Sequence, residues 1–468
     1  MEPVLETDFR SLIVGTDLMA PLLDGSQAPY VNFDNAASTP AMVPVLETVQ
    51  RFLQFYSSVH RGTGFKSQLS THAFEEARAL VLRFLGANPA THTCIFGKNT
   101  TEAMNKLARR FPFSAQRNIV LVSLMEHHSN DLPWRAVAEV VHVRVTPDGY
   151  LDLVDFDAKL EQYADRLALV SISGASNVTG ILNPIHRLAE KVHAAGAQIA
   201  VDCAQLAPHR AIRIGELDDP SHLDYVAFSA HKMYAPFGTG ALVGRRDTFE
   251  VGDPDLRGGG EVEIVTENDV VWSEPPERDE AGSPNTVGTV ALAAAIDRLE
   301  KIGMDRVAAH EADLTAYTLR RLEGMDGLRI IGPRDPDRAM DRLGVVPIYL
   351  EGINHFLAAA VLGYEFGIGV RNGCFCAHPY ILHLLGVSPE EAHQVREEIM
   401  SGDRREMPGL VRISFGLYNT RAEVDRLVEA LDCILRGAYK GKYRQDPMRG
   451  EFAPEGWHVD FAQYFKFI

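Results

Sequence analysis

Ser229-Ala230-His231-Lys232-Met233-Tyr234-Ala235-Pro236-Phe237-Gly238-Thr239-Gly240 is the stretch on which the reading of this chain turns. The apolar run Tyr225-Val226-Ala227-Phe228 enters it as a buried strand, and a second apolar run, Ala241-Leu242-Val243-Gly244, leaves it. Lys232 therefore falls where a core strand ends and a Pro/Gly-rich turn begins. A cation is costly to bury, so an inward lysine here needs a partner or a covalent fate. Burial also lowers the lysine pKa and frees the amine for Schiff-base chemistry. Taken alone, Lys232 reads as a surface lysine at a strand end. The surrounding sequence changes that reading.

Outward from this stretch, residues 91 to 244 alternate in pattern. Strands are predicted at Thr93–Phe96, Asn118–Ser123, Val140–Val145, Leu167–Ser173 and Gln198–Asp202. Helices are predicted at Thr101–Arg110, Trp134–Glu139 and Ile185–Ala195. Such alternation means βαβ units and a mainly parallel sheet, whose ligands sit at the carboxyl ends of the strands. Asp202 and Lys232 are expected there. Upstream, Val43–Tyr56 and Thr71–Leu85 read as helices, separated by the loop His60-Arg61-Gly62-Thr63-Gly64. Downstream, residues 250–288 read as irregular. A long helical pattern from Val290 to Leu322, broken near Gly303, leads into a second α/β unit. Its strand candidates are Arg342–Tyr349, Gly369–Arg371 and Val411–Ser414, and Ser388 opens a capping-box helix to Met400. The tail after residue 440 is basic, then aromatic (Trp457, Phe461, Tyr464, Phe465, Phe467), and is expected to dock on the body.

The 468 residues, 46% of them hydrophobic, allow a large core and more than one domain. A net charge of −17 argues against nucleic acid or an anionic membrane as partner. Five cysteines (Cys94, Cys203, Cys374, Cys376 and Cys433) give no disulfide framework and suggest a reducing compartment. Neither a signal peptide nor a bilayer-spanning run is read, so a cytoplasmic location is expected.

Several residues could carry chemistry. Asp202 closes the small-residue strand Ile199-Ala200-Val201, where a carboxylate needs a facing cation such as a protonated pyridine nitrogen. Otherwise it caps a helix. Gln205, three residues on, could donate to a phenolate oxygen of the same ring. His127 and His128 are adjacent and rarely reach one ion together, so no metal site is expected. A flat imidazole stacked on an aromatic cofactor suits His127. Gly97-Lys98-Asn99-Thr100-Thr101-Glu102 precedes a helix, and its hydroxyls and N–H groups suit an anion, although most such turns bind nothing. Ser229 and His231 could supply further phosphate donors. Arg371-Asn372-Gly373-Cys374-Phe375-Cys376 is a loop in which an adjacent arginine favours a thiolate. Arg412, on a strand, would pair with a substrate carboxylate if buried and is a surface arginine if not.

Together these stretches resemble the fold-type I pyridoxal phosphate enzymes, in particular the class V aminotransferase superfamily and its cysteine desulfurases. The matching motifs occur in order from about residue 30 to 440. They are Asp34-Asn35-Ala36-Ala37, His60-Arg61-Gly62, Thr100-Thr101-Glu102-Ala103-Met104-Asn105, Glu126-His127-His128-Ser129-Asn130 with Pro133-Trp134, and Ser176-Asn177-Val178-Thr179-Gly180. They continue with Asp202-Cys203-Ala204-Gln205, Ser229-Ala230-His231-Lys232, Ala281-Gly282-Ser283-Pro284-Asn285, Arg371 to Cys376, and Arg412 with Tyr418-Asn419-Thr420. The double histidine and Pro-Trp are most similar to the SufS-type group.

The resemblance implies a homodimer with a large, mainly parallel-sheet α/β domain (residues 30–300), a smaller α/β domain (1–29 and 301–440) and the tail 441–468. It implies that Lys232 carries pyridoxal 5'-phosphate covalently and moves protons, with Asp202 on the pyridine nitrogen, Gln205 on the ring oxygen and His127 on the ring face. Thr100, Thr101, Ser229 and His231 would hold the phosphate, joined by Ser283 from a second subunit. Asn177, Arg371 and Arg412 would meet the substrate carboxylate. Cys376 would accept sulfur from L-cysteine, releasing L-alanine and leaving a persulfide for an acceptor protein. Selenocysteine lyase, C–S lyase, specialised aminotransferase and non-catalytic partner protein are the alternatives. Three departures stand out. Cys374 occupies a usual histidine position, so that Gly373-Cys374-Phe375-Cys376 is closer to molybdenum cofactor sulfurases. Residues 381–409 lengthen the segment before Arg412, and Ser283 replaces the commoner threonine.

Overall fold

The computed structural model describes residues 7–467. Seven strands form the central sheet: β1 (His92–Gly97), β2 (Ile119–Ser123), β3 (Glu139–Val143), β4 (Leu167–Ser173), β5 (Gln198–Asp202), β6 (Tyr225–Ser229) and β7 (Gly240–Arg245). Their spatial order is β1-β7-β6-β5-β4-β2-β3, with β7 antiparallel to both neighbours and the rest parallel. The period-two side-chain alternation is visible in the core. Leu121, Val170, Ile199, Val226, Phe228 and Val243 pack on one face, and Val120, Val122, Leu169, Ala200, Ala227 and Leu242 on the other. Helices α1 (Val43–Leu53), α2 (Phe65–Phe84), α3 (Thr100–Arg110) and α4 (Ile185–Ala194) cover the sheet, joined by the consecutive helices α5 (Thr286–Ile302) and α6 (Met304–Leu322). Gly303, at φ 91°, breaks α5 from α6 where the sequence pattern breaks.

A second, antiparallel sheet follows, in the order Leu328–Ile330, Val345–Leu350, Leu410–Ser414, Arg371–Gly373. Its own core holds Val346, Ile348, Val411, Ile413 and Leu431. Val31 and Phe33 also pack into this second core. The capping box at Ser388 forms as expected and starts the helix Pro389–Met400.

Elsewhere the elements differ from the sequence reading. The second helix begins at Phe65, directly after the extended Gly64, rather than near Thr71. The helix at Trp134 is one turn, Leu132–Arg135, and Glu139 already belongs to β3. Gly369–Arg371 is split between two short strands, Ile368–Gly369 and Arg371–Gly373. Residues 250–288 contain the exposed hairpin Val262–Val265/Val270–Trp272. In the tail, Tyr443 donates a hydrogen bond to Glu365 at 3.0 Å and Trp457 packs edge-on against Tyr364 at 4.9 Å, whereas Phe461, Tyr464, Phe465 and Phe467 are exposed. Residues 1–6 of the expected small domain and Ile468 lie outside the described residues. Among the described residues, no helix is long and apolar enough to cross a membrane.

The close approach of β7 to the start of α3 requires a glycine. A Cβ on Gly240 would stand 2.6 Å from the Asn99 Cα and 2.9 Å from the Phe228 carbonyl oxygen. Gly240→Ala is expected to cost about 1–3 kcal/mol, read as a lowered urea midpoint at unchanged slope.

Candidate active site

Adjacent parallel strands bring the first two groups together. Asp202 is the last residue of β5 and pairs in register with Ala227 of β6. Lys232 follows the end of β6 in a single 3-10 turn, Ala230–Lys232. Thr39 pins that turn: its backbone N–H and hydroxyl both donate to the His231 carbonyl, at 2.9 and 3.1 Å, and its hydroxyl accepts from the Tyr234 N–H at 2.8 Å. Tyr234 sits at φ 62°, a left-handed conformation held by the surrounding contacts.

Both groups line a cavity of about 340 Å³ at the carboxyl ends of the strands. Thr100, Thr101, Ser229 and His231 line the same cavity, at the start of α3 and the end of β6. The Ser229 hydroxyl lies 2.7 Å from that of Thr100 and accepts from the Thr100 N–H at 2.8 Å. The Thr101 hydroxyl lies 2.7 Å from that of Ser129. These hydroxyls and the helix start make a donor-rich corner for an anion. His127 also lines the cavity, its Nδ1 accepting from the Ser129 N–H at 3.1 Å. Burial and the nearby Lys232 charge hold its pKa down to about 3, so the ring is neutral.

Gln205 lines the cavity, but its amide nitrogen already donates to the Ala36 carbonyl at 2.8 Å. One of its N–H groups therefore fixes the Ala36-Ala37 wall. Asp202 accepts from the Ala204 N–H at 2.9 Å, and burial raises its pKa. Burial lowers the Lys232 amine to about 8, against the opposing pull of Asp202. Each shift signals an ionic group deprived of solvent.

The second sheet supplies the opposite wall. Arg371 and Arg412 are direct cross-strand partners, which would set two like charges side by side. Asp34 relieves this, meeting Arg371 at 2.8 Å and Arg412 at 3.2 Å. Arg412 is buried, donates to the Asn177 carbonyl at 3.0 Å, and lies over the Phe375 ring at 4.8 Å. Its Nε is buried without a hydrogen-bond partner, and desolvation lowers the guanidinium to about 10. Asn177 donates to the Phe375 carbonyl at 2.7 Å and so ties the cysteine loop to the large sheet.

That loop separates the two thiols. Phe375 and Cys376 adopt φ of 50° and 56°, consecutive left-handed residues that turn the chain sharply. Cys376 is exposed and lines the cavity. Cys374 is buried, lies 3.0 Å from the Pro408 carbonyl, and is raised to about 12 by desolvation. The His128 N–H donates to the Cys376 carbonyl at 2.8 Å, and the His128 ring stacks on His378 at 5.0 Å. Sequence reasoning gave no role to Asp34, Phe375 or His378. Asp34 lay inside a quoted motif, but its bridging of two arginines depends on strand register. Ser283 stands apart from this cavity, in a separate cleft with His60 and Arg61.

A large, mostly parallel seven-stranded sheet with a lysine and an aspartate at neighbouring strand ends defines the class: fold-type I α/β enzymes. The profile of the class-V aminotransferase family matches residues 31–427, and the chain belongs to that family, whose members depend on pyridoxal phosphate. A probable cysteine desulfurase of Halobacterium salinarum is 36% identical over 86% of this chain and 91% of its own length. The cysteine desulfurase of Dickeya dadantii is 35% identical over 87% and 92%. Among solved structures, the apo cysteine desulfurase of Thermococcus onnurineus superposes with a TM-score of 0.75 at 31% identity, covering 87% of this chain and 95% of that one.

The contrast between the thiols sets a reactivity test. A thiol raised to about 12 carries roughly 10⁻⁴ of its population as thiolate at pH 8. Brief iodoacetamide treatment at pH 8 is expected to alkylate Cys376 and spare Cys374, as read from the fragment ions of their shared peptide by mass spectrometry. Cys374 modification should appear only as the pH climbs towards 12.

Proposed function

We propose that this chain is a cysteine desulfurase, moving sulfur from L-cysteine to the Cys376 thiol and releasing L-alanine, with pyridoxal 5'-phosphate as cofactor. The observation that carries the reading is the shared cavity: an exposed Cys376 and a desolvated Lys232 face the same space, and the neighbouring Cys374 does not. The names of the relatives support it.

The donor set fits the cofactor. Asp202 is a buried carboxylate in need of a cation, as a protonated ring nitrogen provides. Thr100, Thr101, Ser229 and His231 suit its phosphate, His127 offers a neutral flat ring, and Gln205 keeps an N–H free for the ring oxygen. When bound, the cofactor supplies an electron sink for charge developing at the carbon next to the substrate nitrogen.

The remaining work falls to the side chains. Lys232, with its amine near 8, both takes and returns a proton close to neutrality. Arg412 has an unpaired buried Nε and suits the substrate carboxylate, which would compete with Asp34 for its guanidinium. Asn177 and Arg371 flank the same position. The Cys376 thiolate attacks the sulfur of cysteine. The substrate C–S bond breaks, an S–S bond forms on Cys376, and protonation of the carbon left behind yields alanine. Solvent exposure leaves the resulting persulfide open to an acceptor.

The wider reading is a cytoplasmic homodimer built of the two α/β units, with Ser283 reaching the phosphate of the partner subunit. The position of Ser283 outside its own Lys232 cavity supports this. The five cysteines are all free, as a reducing compartment requires.

Alanine formation from L-cysteine tests the assignment. Cys376→Ser is expected to lose at least 100-fold in rate with the cofactor spectrum intact, and Cys374→Ser to keep most of its activity. A Cys376→Ser variant that forms alanine at the parent rate contradicts the reading. Pyruvate and free sulfide as products would indicate a C–S lyase instead.

A further inference from the structure

We propose that His193, His222 and Asp224 form a binding site for one divalent cation of the zinc class, remote from the Lys232 cavity. His193 lies in the last turn of α4, and His222 and Asp224 lie on the segment entering β6. The His193 Nε2 is 2.9 Å from the Asp224 Oδ2, and the His222 Nε2 is 3.2 Å from the Asp224 Oδ1. The two imidazoles stack with centroids 4.1 Å apart and planes within 13°.

The tautomers make the case. The His193 Nδ1 is 2.7 Å from the Pro220 carbonyl, and the His222 Nδ1 is 2.7 Å from the Asp219 carbonyl. A carbonyl only accepts, so each Nδ1 carries the ring proton. Each Nε2 then faces a carboxylate oxygen, which is also an acceptor. A single positive charge shared between the two Nε2 atoms and the carboxylate, such as a metal ion, satisfies all three groups. A single metal ion uses both lone pairs and the carboxylate at once.

The surroundings match a metal centre. Histidine ligands are commonly oriented by a carbonyl on the other ring nitrogen, and ligating carboxylates are themselves hydrogen-bonded. Asp224 is fully buried, and its Oδ2 also accepts from the Ile199 N–H at 2.8 Å. His92 on β1 is a further buried imidazole within electrostatic reach of Asp224 and His222, and its Nε2 has no hydrogen-bond partner. The His193 side chain keeps 16% exposure, which leaves a path for an ion and a water ligand. Two imidazoles with one carboxylate select zinc over magnesium or calcium.

The site is at the opposite end of β6 from Lys232, roughly 17 Å away along a five-residue strand. Its role is therefore structural: it clamps the end of α4 to the segment that feeds the lysine-bearing strand.

The test uses holoenzyme carrying Cys376→Ser, so that the exposed thiol does not bind metal, treated with chelator and titrated with zinc chloride. Calorimetry is expected to show one ion per chain, with Tm raised by about 2–5 °C. His193→Gln combined with His222→Gln is expected to weaken binding at least 100-fold. No binding in the parent, or undiminished binding in the double variant, overturns the proposal. Should the double variant misfold, anomalous scattering at the zinc edge from crystals of the unsubstituted holoenzyme decides. A peak between the two Nε2 atoms and Asp224 supports the site, and its absence there overturns it.

Discussion

The structure depends on placing an amine and a carboxylate together where water is scarce. β5 and β6 are adjacent and parallel, so Asp202 and Lys232 emerge at the same end of the sheet. Burial works against both charges, lowering the lysine and raising the aspartate, while their mutual attraction opposes the shifts. A site built this way is unsatisfied on its own. It is completed by a ligand that is cationic towards Asp202, anionic towards the hydroxyls at the start of α3, and reactive towards the amine.

The opposite wall follows from a second constraint. Pairing Arg371 with Arg412 across an antiparallel ladder concentrates positive charge, and Asp34 keeps it tolerable. Arg412 also reaches back to the large sheet through Asn177, which in turn holds the Phe375 carbonyl. The fully buried Arg342 makes a similar crossing, donating to the carbonyl of Thr179 at 2.8 Å. The cavity is thus walled by two sheets that are stitched by arginines to one loop, Ser176–Gly180. The left-handed pair Phe375 and Cys376 turns the working thiol into this space, while Cys374 is directed into the core.

Much of this was legible in the sequence. Each central strand is a short apolar run closed by polar or turn residues, so β1, β4, β5 and β6 lie within a residue or two of their expected places. Asp202 and Lys232 were readable because a charge at the end of such a run has few explanations. Elements whose apolar residues show no clear period were missed. The helix Leu153–Tyr163 carries four charged side chains interleaved with its apolar ones, and its start is marked only by the Asp152 cap. The helix His355–Phe366 is nearly apolar throughout and has no strong period. The choice between Cys374 and Cys376 depends on two backbone torsions, and no side-chain pattern encodes those. The bond from Gln205 to Ala36 and the Asp34 bridge join residues far apart in sequence, so they become visible only in the folded chain.

Sulfur balance in a single turnover tests the central claim most directly. Holoenzyme mixed with a substoichiometric amount of L-cysteine, without reductant or acceptor, is quenched, and its alanine and peptide masses are measured. The account predicts one alanine for each added sulfur atom, with that sulfur placed on Cys376 by the fragment ions of the peptide that carries both thiols. Sulfur carried by Cys374, or pyruvate formed in place of alanine, would contradict it.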